Sequence, residues 1–179
     1  MRIIAGTRKG LKLTAPVGND VRPTTDRVKE SVFNIIQSYL PAERVLDLYA
    51  GSASLGIEAL SRRSEHCVFV DCNKKSFELL RHNVEISGFT EKAELVFSDS
   101  LMYLEKASAP FDIIFLDPPY NKGYIGLSID KIYEHNLLKD GGIIVAETEK
   151  NGEVAEHFGL DIIKLATYGK TVITVLKKR

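Results

Sequence analysis

The sequence predicts an α/β fold built on a seven-stranded, mostly parallel sheet. From residue 44 onward, short apolar runs rich in β-branched residues alternate with stretches of helical periodicity, which is the pattern of βαβ units. The last two predicted strands are separated only by residues 168–170. This connection is too short for a helical crossover, so the two strands should form an antiparallel hairpin.

A small hairpin and a helix precede the sheet. Residues 2–6 and 11–15 are predicted to be short strands, and Gly10 can take a positive φ in the turn between them. A helix follows within residues 22–40, with Thr24, Thr25 or Asp26 as a possible N-cap. The apolar stripe that predicts this helix comprises Val28, Val32, Ile35, Ile36, Tyr39 and Leu40. We expect residues 1–22 to form a basic extension and residues 23–179 to form the main domain.

The remaining elements alternate along the chain. The predicted strands span residues 44–49, 67–71, 93–98, 111–116, 142–147, 161–167 and 171–176. The predicted helices span residues 55–62, 74–87, 100–106, 126–136 and, with a weaker pattern, 153–158. Right-handed crossovers of this kind place ligand sites at the carboxyl ends of the strands.

Composition favours a soluble cytoplasmic protein that binds neither membrane nor metal. Hydrophobic residues make up 44% of the chain and charged residues 27%, and no apolar run approaches the roughly 20 residues that would span a bilayer. Cys67 and Cys72 have neither zinc nor CxxC spacing, and we expect both thiols to be buried or half-buried. The four histidines are scattered, so a metal site is not indicated.

Charge is unevenly distributed. Residues 1–29 hold seven basic and two acidic side chains, a net charge of +5, and the neutral total leaves −5 for the remainder. The basic side chains are Arg2, Arg8, Lys9, Lys12, Arg22, Arg27 and Lys29. A basic end can be a solvated hairpin or a surface for nucleic-acid phosphates, and charge alone does not decide between them.

The end of the first predicted strand carries a candidate cofactor loop. Asp47 precedes a small-residue turn with the pattern Gly51-x-Ala53-x-x-Gly56, which resembles a dinucleotide fingerprint, and Asp71 lies where a carboxylate can hold a ribose. A dinucleotide needs close backbone approach at the middle position, where Ala53 adds a Cβ. S-adenosylmethionine has no phosphate, and an acidic group near its ammonium suits it better. We therefore favour S-adenosylmethionine over a nicotinamide or flavin dinucleotide.

Two further strand ends carry polar groups. Ser98 and Asp99 follow the third strand, where a side chain could accept a hydrogen bond from an adenine amino group. Each of Asp47, Asp71 and Asp99 could instead be a turn former or a helix N-cap. Their succession on consecutive strand ends favours one shared site.

The fourth strand ends in the stretch FLDPPY. Asp117 and the carbonyl of Pro118 can each accept a hydrogen from one planar amino group, and Tyr120 can stack on the ring that bears it. The two prolines restrict the backbone, so they hold these acceptors in place. The alternative is a strand that simply ends at a proline-stopped loop.

The chain resembles the RsmD family, the bacterial small-subunit (16S) ribosomal RNA guanine-N2 methyltransferases, in RIIAGTRKGLKL, RPTTDRVKESVFNII, VLDLYAGSASLGIEALSRR and FLDPPY, in this order. The resemblance covers essentially the whole chain. The two N-terminal stretches are the more specific ones, because many amino methyltransferases share DPPY and the glycine loop.

The resemblance implies a class I S-adenosylmethionine-dependent methyltransferase (Rossmann-like) fold, S-adenosylmethionine as methyl donor, and methylation of one guanine amine in small-subunit ribosomal RNA. The expected substrate is RNA in a ribosomal particle, and the expected enzyme is a monomer. The implied cofactor residues are Asp47, Ala50, Gly51, Asp71, Ser98 and Asp99. The implied target-base residues are Asp117, Pro118 and Tyr120, and the implied RNA-contacting residues are Arg2, Arg8, Lys9, Lys12 and Arg22.

The chain departs from the family pattern at two places. GSASLG stands where GSGALG is usual, so Ala53 occupies a glycine position, and Arg63 also stands where a glycine is typical. Two alternatives to the implied function stay open: an adenine amino methyltransferase acting on DNA or RNA, and a non-catalytic RNA-binding assembly factor.

Overall fold

A computed structural model describes residues 1–16, 26–119, 123–150, 154, 157 and 159–179. Within these residues the predicted seven-stranded sheet is confirmed, with the order β3-β2-β1-β4-β5-β7-β6. The strands are β1 Arg44–Leu48, β2 His66–Asp71, β3 Ala93–Phe97, β4 Phe111–Leu116, β5 Leu138–Glu149, β6 Leu160–Tyr168 and β7 Thr171–Lys178. The first five strands pair in parallel, and β7 runs antiparallel to both β5 and β6.

In the part of the chain that the structure describes, five α-helices and two short 3₁₀ turns precede or connect the strands. The helices are α1 Asp26–Ile35, α2 Ser54–Ser61, α3 Lys74–Ser87, α4 Ser100–Lys106 and α5 Tyr124–Glu134, and the 3₁₀ turns are Gln37–Tyr39 and Thr90–Lys92. The predicted N-terminal helix is therefore divided at residue 36. Its candidate caps Thr24 and Thr25 lie outside the described residues, as does most of the predicted helix 153–158.

The start of β5 differs from the prediction. The predicted strand begins at residue 142. The structure begins β5 at Leu138 and absorbs residues 139–142 in an irregularity, since Phe111 pairs with Leu138 and Ile113 already pairs with Ile143.

The sheet separates two apolar cores. Alternate side chains of a strand point to opposite faces, so Val45 and Ile113 pack in one core with α1, α2 and α3, and Leu46 and Ile114 pack in the other with α4 and α5. On the first face Phe33 of α1 meets Phe115 of β4, with ring centroids 5.7 Å apart. No described helix combines the length and the apolar character needed to cross a bilayer.

Helix α2 lies unusually close to the sheet. A Cβ placed on Gly56 would come within 2.3 Å of the Phe69 ring and 2.7 Å of the Cys67 sulfur, so only glycine permits this approach. Cys67 is buried, which raises its pKa well above the usual value. The expectation of a buried or half-buried thiol is wrong for Cys72, which is exposed because it lies just after the last residue of β2.

The end of α2 is a Schellman motif. The amide of Arg63 donates to the carbonyl of Leu60 at 3.0 Å, and the amide of Ser64 donates to the carbonyl of Ala59 at 3.1 Å. The motif requires a left-handed residue after the helix, and Arg63 supplies it with φ 76°.

The N-terminal hairpin is present and packs on the body of the molecule. Arg2 and Lys12 pair across it in an antiparallel bridge, and Gly10 has the predicted positive φ. Ile3 and Leu13 are buried in the first core. The hairpin approaches the C-terminal end of α2 so closely that a Cβ on Gly6 would lie 1.9 Å from the carbonyl oxygen of Ser61.

Candidate active site

The carboxyl ends of β3, β2, β1 and β4 lie next to one another in the sheet. The chain moves outward from β1 through β2 to β3 and then returns to the other side of β1 as β4. A crevice forms at such a reversal of strand order, and it is where open α/β sheets bind ligands. The four predicted strand-end positions therefore border one crevice.

Asp47 is the penultimate residue of β1, a strand at the reversal of strand order. Its side chain is 2% exposed, and Oδ2 accepts a hydrogen bond from the Gly56 amide at 2.8 Å. Burial raises the pKa of Asp47 from 3.8 to about 7; the Gly56 amide opposes this shift and the negative charge of Asp71 adds to it. The carboxyl group of Asp47 therefore changes its charge near neutral pH.

The ends of β1 and β2 are joined by a hydrogen bond from the Gly51 amide to Asp71 Oδ2 at 2.9 Å. Asp71 Oδ1 also accepts from the Asn73 amide at 2.8 Å. Ala50 is buried, and its amide donates to the carbonyl of Val70 at 2.9 Å. Among the described residues, a Cβ on Gly51 would meet only the Tyr49 carbonyl oxygen, at 3.9 Å. No other described group therefore crowds the backbone of the donor loop, residues 49–53, at this point.

The donor loop takes an unusual backbone conformation. Ala53, at the N-cap of α2, has φ 64°, and Tyr49 has φ 67°. Left-handed backbone costs a residue with a Cβ of the order of 1 kcal/mol more than it costs glycine. The loop keeps its shape with alanine at position 53 because that side chain is fully buried in the first core.

Asp99 caps α4, as the alternative interpretation of this residue proposed. Its Oδ1 accepts from the amides of Leu101 and Met102, both at 3.0 Å. Asp99 is exposed and Ser98 is half-buried, and the Ser98 hydroxyl donates to the Asp99 carbonyl at 3.0 Å. Both residues lie at the β3 end of the rim.

The acceptor side of the crevice begins at the end of β4. Asp117 is half-buried, Pro118 is buried and Pro119 is exposed. Tyr120 lies outside the described residues. The rigid dipeptide therefore follows a fully buried strand end, beside the donor loop that follows β1.

Tyr49 was not identified from the sequence as a residue that organises the site. Its hydroxyl lies 2.9 Å from the Ser128 hydroxyl, and its ring centroid lies 5.9 Å from that of Tyr124. Both partners belong to α5. Burial raises the pKa of Tyr49, opposed by the hydrogen bond with Ser128. The side chain thus ties the donor loop to the helix that follows the acceptor segment.

The basic side chains of the hairpin differ in their surroundings. Arg2 forms an ion pair with Asp26, 3.4 Å between Nε and Oδ2, and Arg8 lies over the Phe89 ring at 6.0 Å. Lys9 and Lys12 are exposed. Arg22 lies outside the described residues.

Lys29 was counted only as one of the basic residues, but it is buried at the centre of a polar network with Glu58. No local pattern reveals this pair, because a lysine and a glutamate on two different helices look like ordinary surface charges. Across the described ranges, no group of three or more histidine, cysteine or acidic residues is arranged to hold a metal ion.

Comparisons with a family model, with related sequences and with solved structures all relate this chain to methyltransferases. The family described as "Conserved hypothetical protein 95" matches residues 1–177. Bacillus subtilis YlbH is 42% identical over the full length of both chains. The ribosomal RNA small subunit methyltransferase D of Haemophilus influenzae is 36% identical, over 94% of this chain and 89% of its own. The solved structure of Escherichia coli yhhF superposes with a TM-score of 0.89 at 30% identity, covering 100% of this chain and 98% of that one. The chain therefore belongs to the ribosomal RNA small subunit methyltransferase D family.

Proposed function

We propose that this protein transfers a methyl group from S-adenosylmethionine to the exocyclic N2 amine of a guanine in small-subunit (16S) ribosomal RNA. The observation that carries the proposal is the crevice at the reversal of strand order. There a loop that exposes backbone beside a buried carboxyl group adjoins a proline-restricted acceptor segment. Membership of the family supports the same assignment.

The residues of the donor side fit S-adenosylmethionine. Asp47 would face the ammonium of the donor, the backbone at Ala50 and Gly51 would lie along its methionine portion, and Asp71 would accept from the ribose. Ser98 and Asp99 would meet the adenine; Asp99 can serve both as helix cap and as ligand, because a carboxylate offers two oxygens. When bound, the donor supplies a methyl group already activated on a sulfonium.

The acceptor side has to hold a poor nucleophile. The lone pair of an exocyclic amine is delocalised into the ring, and two acceptors, the Asp117 carboxylate and the Pro118 carbonyl, favour the pyramidal amine that attacks. The new C–N bond forms as the S–C bond breaks, and the nitrogen becomes cationic and strongly acidic. Asp117 or water then takes the proton without an unusual pKa.

Access to an exocyclic amine requires the nucleotide to leave its stack. Stacking on an aromatic ring is worth about 1–3 kcal/mol per base, which would offset much of the few kcal/mol that unstacking costs. We assign that role to Tyr120. Arg2, Arg8, Lys9, Lys12 and Arg22 would contact RNA phosphates, so residues 1–22 would be the substrate-facing extension of a domain formed by residues 23–179.

The test is a methylation assay with labelled donor. Purified protein should methylate small subunits or their RNA taken from a strain that lacks the enzyme, and digestion to nucleosides should show N2-methylguanosine. Methylated adenosine would contradict the guanine assignment and favour an adenine amino methyltransferase.

The matched variant is Asp117→Ala, which should abolish methyl transfer and leave RNA binding within about twofold, because a carboxylate whose contact with the RNA is confined to the target base adds little to phosphate-dominated affinity. A wild-type protein that binds the RNA but shows no turnover would overturn the proposal and favour a non-catalytic assembly factor.

A further inference from the structure

Lys29 of α1 and Glu58 of α2 form an ion pair sealed inside the molecule. Both side chains are 0% exposed, and Lys29 Nζ lies 3.5 Å from Glu58 Oε2. Burial lowers the pKa of Lys29, opposed by the charge of Glu58. A buried pair loses so much hydration that its attraction contributes little net stability, and its best-attested effect is to specify position.

The Lys29 ammonium contacts two functional regions at once. It donates to the carbonyl of Arg2 at 2.7 Å and lies 3.0 Å from the hydroxyl of Ser54. Arg2 belongs to the basic hairpin. Ser54 is the first residue of α2 and directly follows the donor loop. One charged group therefore joins the hairpin to the segment that shapes the donor side of the crevice.

Glu58 holds the same hairpin from the other side of the pair. Its two oxygens accept from the amides of Ile4 at 2.8 Å and Ala5 at 3.0 Å, and from Arg62 Nε at 2.9 Å. Hydrogen bonds to an ionised group are about twice as strong as neutral ones. The carboxylate thus fixes two successive peptide units of the hairpin on α2.

We propose that Lys29 and Glu58 are positioning residues for methyl transfer: a buried clamp that sets the hairpin against the donor loop, so that RNA lying along the hairpin presents its target amine at the crevice. This inference rests on the proposed function. Misplacement of a reacting group by about 1 Å can cost about 100-fold in rate, so a clamp between the RNA surface and the donor loop has a direct kinetic effect.

The test compares three substitutions in α1. Lys29→Met removes the ammonium at similar side-chain length, and Lys29→Arg keeps the charge and the donors. Val32→Ala is the matched control, because Val32 is buried in the same helix and its truncation loosens the core without removing a polar contact of the clamp.

Lys29→Met should raise the KM for RNA and lower kcat, each by about tenfold, the loss expected for hydrogen bonds that involve a charged group. In the same variant, hydrogen exchange at the amides of Ile4 and Ala5 should accelerate by at least about tenfold relative to exchange at the amides of β1. Lys29→Arg should restore these constants to within about threefold. Val32→Ala should lower the melting temperature, and it should leave kcat and the KM for RNA unchanged at temperatures where the variant is folded.

Ser54→Ala keeps the proposal testable if Lys29→Met does not fold. It removes only the hydroxyl at the donor end of the clamp, so the Kd for S-adenosylmethionine should rise roughly fivefold, as for one ordinary hydrogen bond, with the KM for RNA unchanged. Wild-type donor affinity in Ser54→Ala would overturn the role of the clamp at the donor loop.

Equal changes of kcat and of the KM for RNA in Lys29→Met and Val32→Ala would overturn the positioning role as a whole, because both variants would then show only the effect of lost stability. Failure of the proposed function is distinguishable, since it would be seen as absence of methylation by the wild-type protein. In that case the exchange rates at Ile4 and Ala5 would still test the clamp.

Discussion

The buried carboxyl group of Asp47 makes the stability of the fold depend on pH. The folded-state pKa of about 7 lies above the usual 3.8, so between these values the folded protein holds a proton that the unfolded chain has released. The stability that this proton contributes is fully present below about pH 4 and is lost as the pH rises to about 7. The ionised Asp47 carboxylate therefore destabilises the free protein near neutral pH, and under the proposed function the same charge would face the ammonium of the donor.

We expect Asp47→Asn to stabilise the fold at pH 8 and to leave it nearly unchanged at pH 4, because asparagine stays neutral and can still accept from Gly56. The same variant should weaken S-adenosylmethionine binding by at least about tenfold, through loss of a charge-assisted contact. Denaturant unfolding at the two pH values and calorimetry with the donor measure these effects. Equal destabilisation at both pH values would contradict the assignment.

Donor affinity of the wild-type protein should also depend on pH. The ammonium of the donor favours ionised Asp47, so binding releases a proton below pH 7. The affinity should therefore increase up to about pH 7 and then become constant. Asp47→Asn should lack this increase, which makes it the control for other titrating groups.

The same residues show how far reasoning from sequence reaches. The strand-end positions of Asp47, Asp71, Asp99 and Asp117 follow from hydrophobic runs and are correct. The conflict between capping and binding at Asp99 could not be resolved from the sequence, because both roles use the same residue type at the same place.

Among the elements, α2 ends in a residue whose backbone conformation is unfavourable and lowers the stability of the fold. Arg63 is exposed and takes φ 76° to complete the Schellman motif, a conformation that costs an L-residue about 1–2 kcal/mol and glycine very little. The sequence shows that Arg63 stands where a glycine is typical of the family, and the structure gives the backbone geometry that favours glycine there.

Arg63→Gly should raise the free energy of unfolding by about 1 kcal/mol, because it relieves the left-handed backbone. Arg63→Ala is the matched control: it removes the guanidinium but keeps the Cβ, so it should give no gain. Urea denaturation of the three proteins measures the difference. The explanation fails if both substitutions change stability by the same amount.

Helices and strands were largely predictable where the sequence has a clear apolar run or a short turn. β1 to β4 and the C-terminal hairpin are confirmed because their apolar runs and short turns admit one solution. The early start of β5 was not predicted because Gly141 and Gly142 lower the local strand propensity, whereas the pairing of Leu138 with Phe111 of β4 is a tertiary effect.

For the molecule as a whole, the net charge is zero but the charges are unevenly distributed along the chain. The N-terminal 29 residues carry a net +5 in a chain of net charge zero. That sum already counts Asp26, which pairs with Arg2. One further positive charge, that of buried Lys29, is compensated by Glu58. Lys9 and Lys12 are exposed and should carry much of the remaining attraction for phosphates.

Replacing both Lys9 and Lys12 with glutamine should weaken RNA binding and reduce the slope of log affinity against log salt by about 1.4, or roughly 0.7 for each lost phosphate contact. Lys164→Gln on β6 and Lys170→Gln in the β6–β7 turn form the matched control, because both lysines are exposed at the opposite edge of the sheet. Filter binding at several salt concentrations measures the slope. An unchanged slope in the hairpin variant would remove these lysines from the RNA surface.

The clamp was the part of the molecule least accessible from sequence. Lys29 and Glu58 belong to different helices, and their pairing depends on how α1 crosses α2 above the sheet. Charge patterns predict where ions are frequent along a chain, but burial of an ion pair is decided only by the complete packing.

The close fit of the hairpin on α2 also dictates the order in which the chain can be completed during synthesis. The groups that hold Ile4, Ala5 and Arg8 lie 53 or 54 residues further along the chain. The hairpin leaves the ribosome before α2, and it has no docking surface until α2 and the strands beneath it have formed. The hairpin is therefore translated before α2 but can dock only after α2 has folded, and its basic residues stay unanchored for that interval.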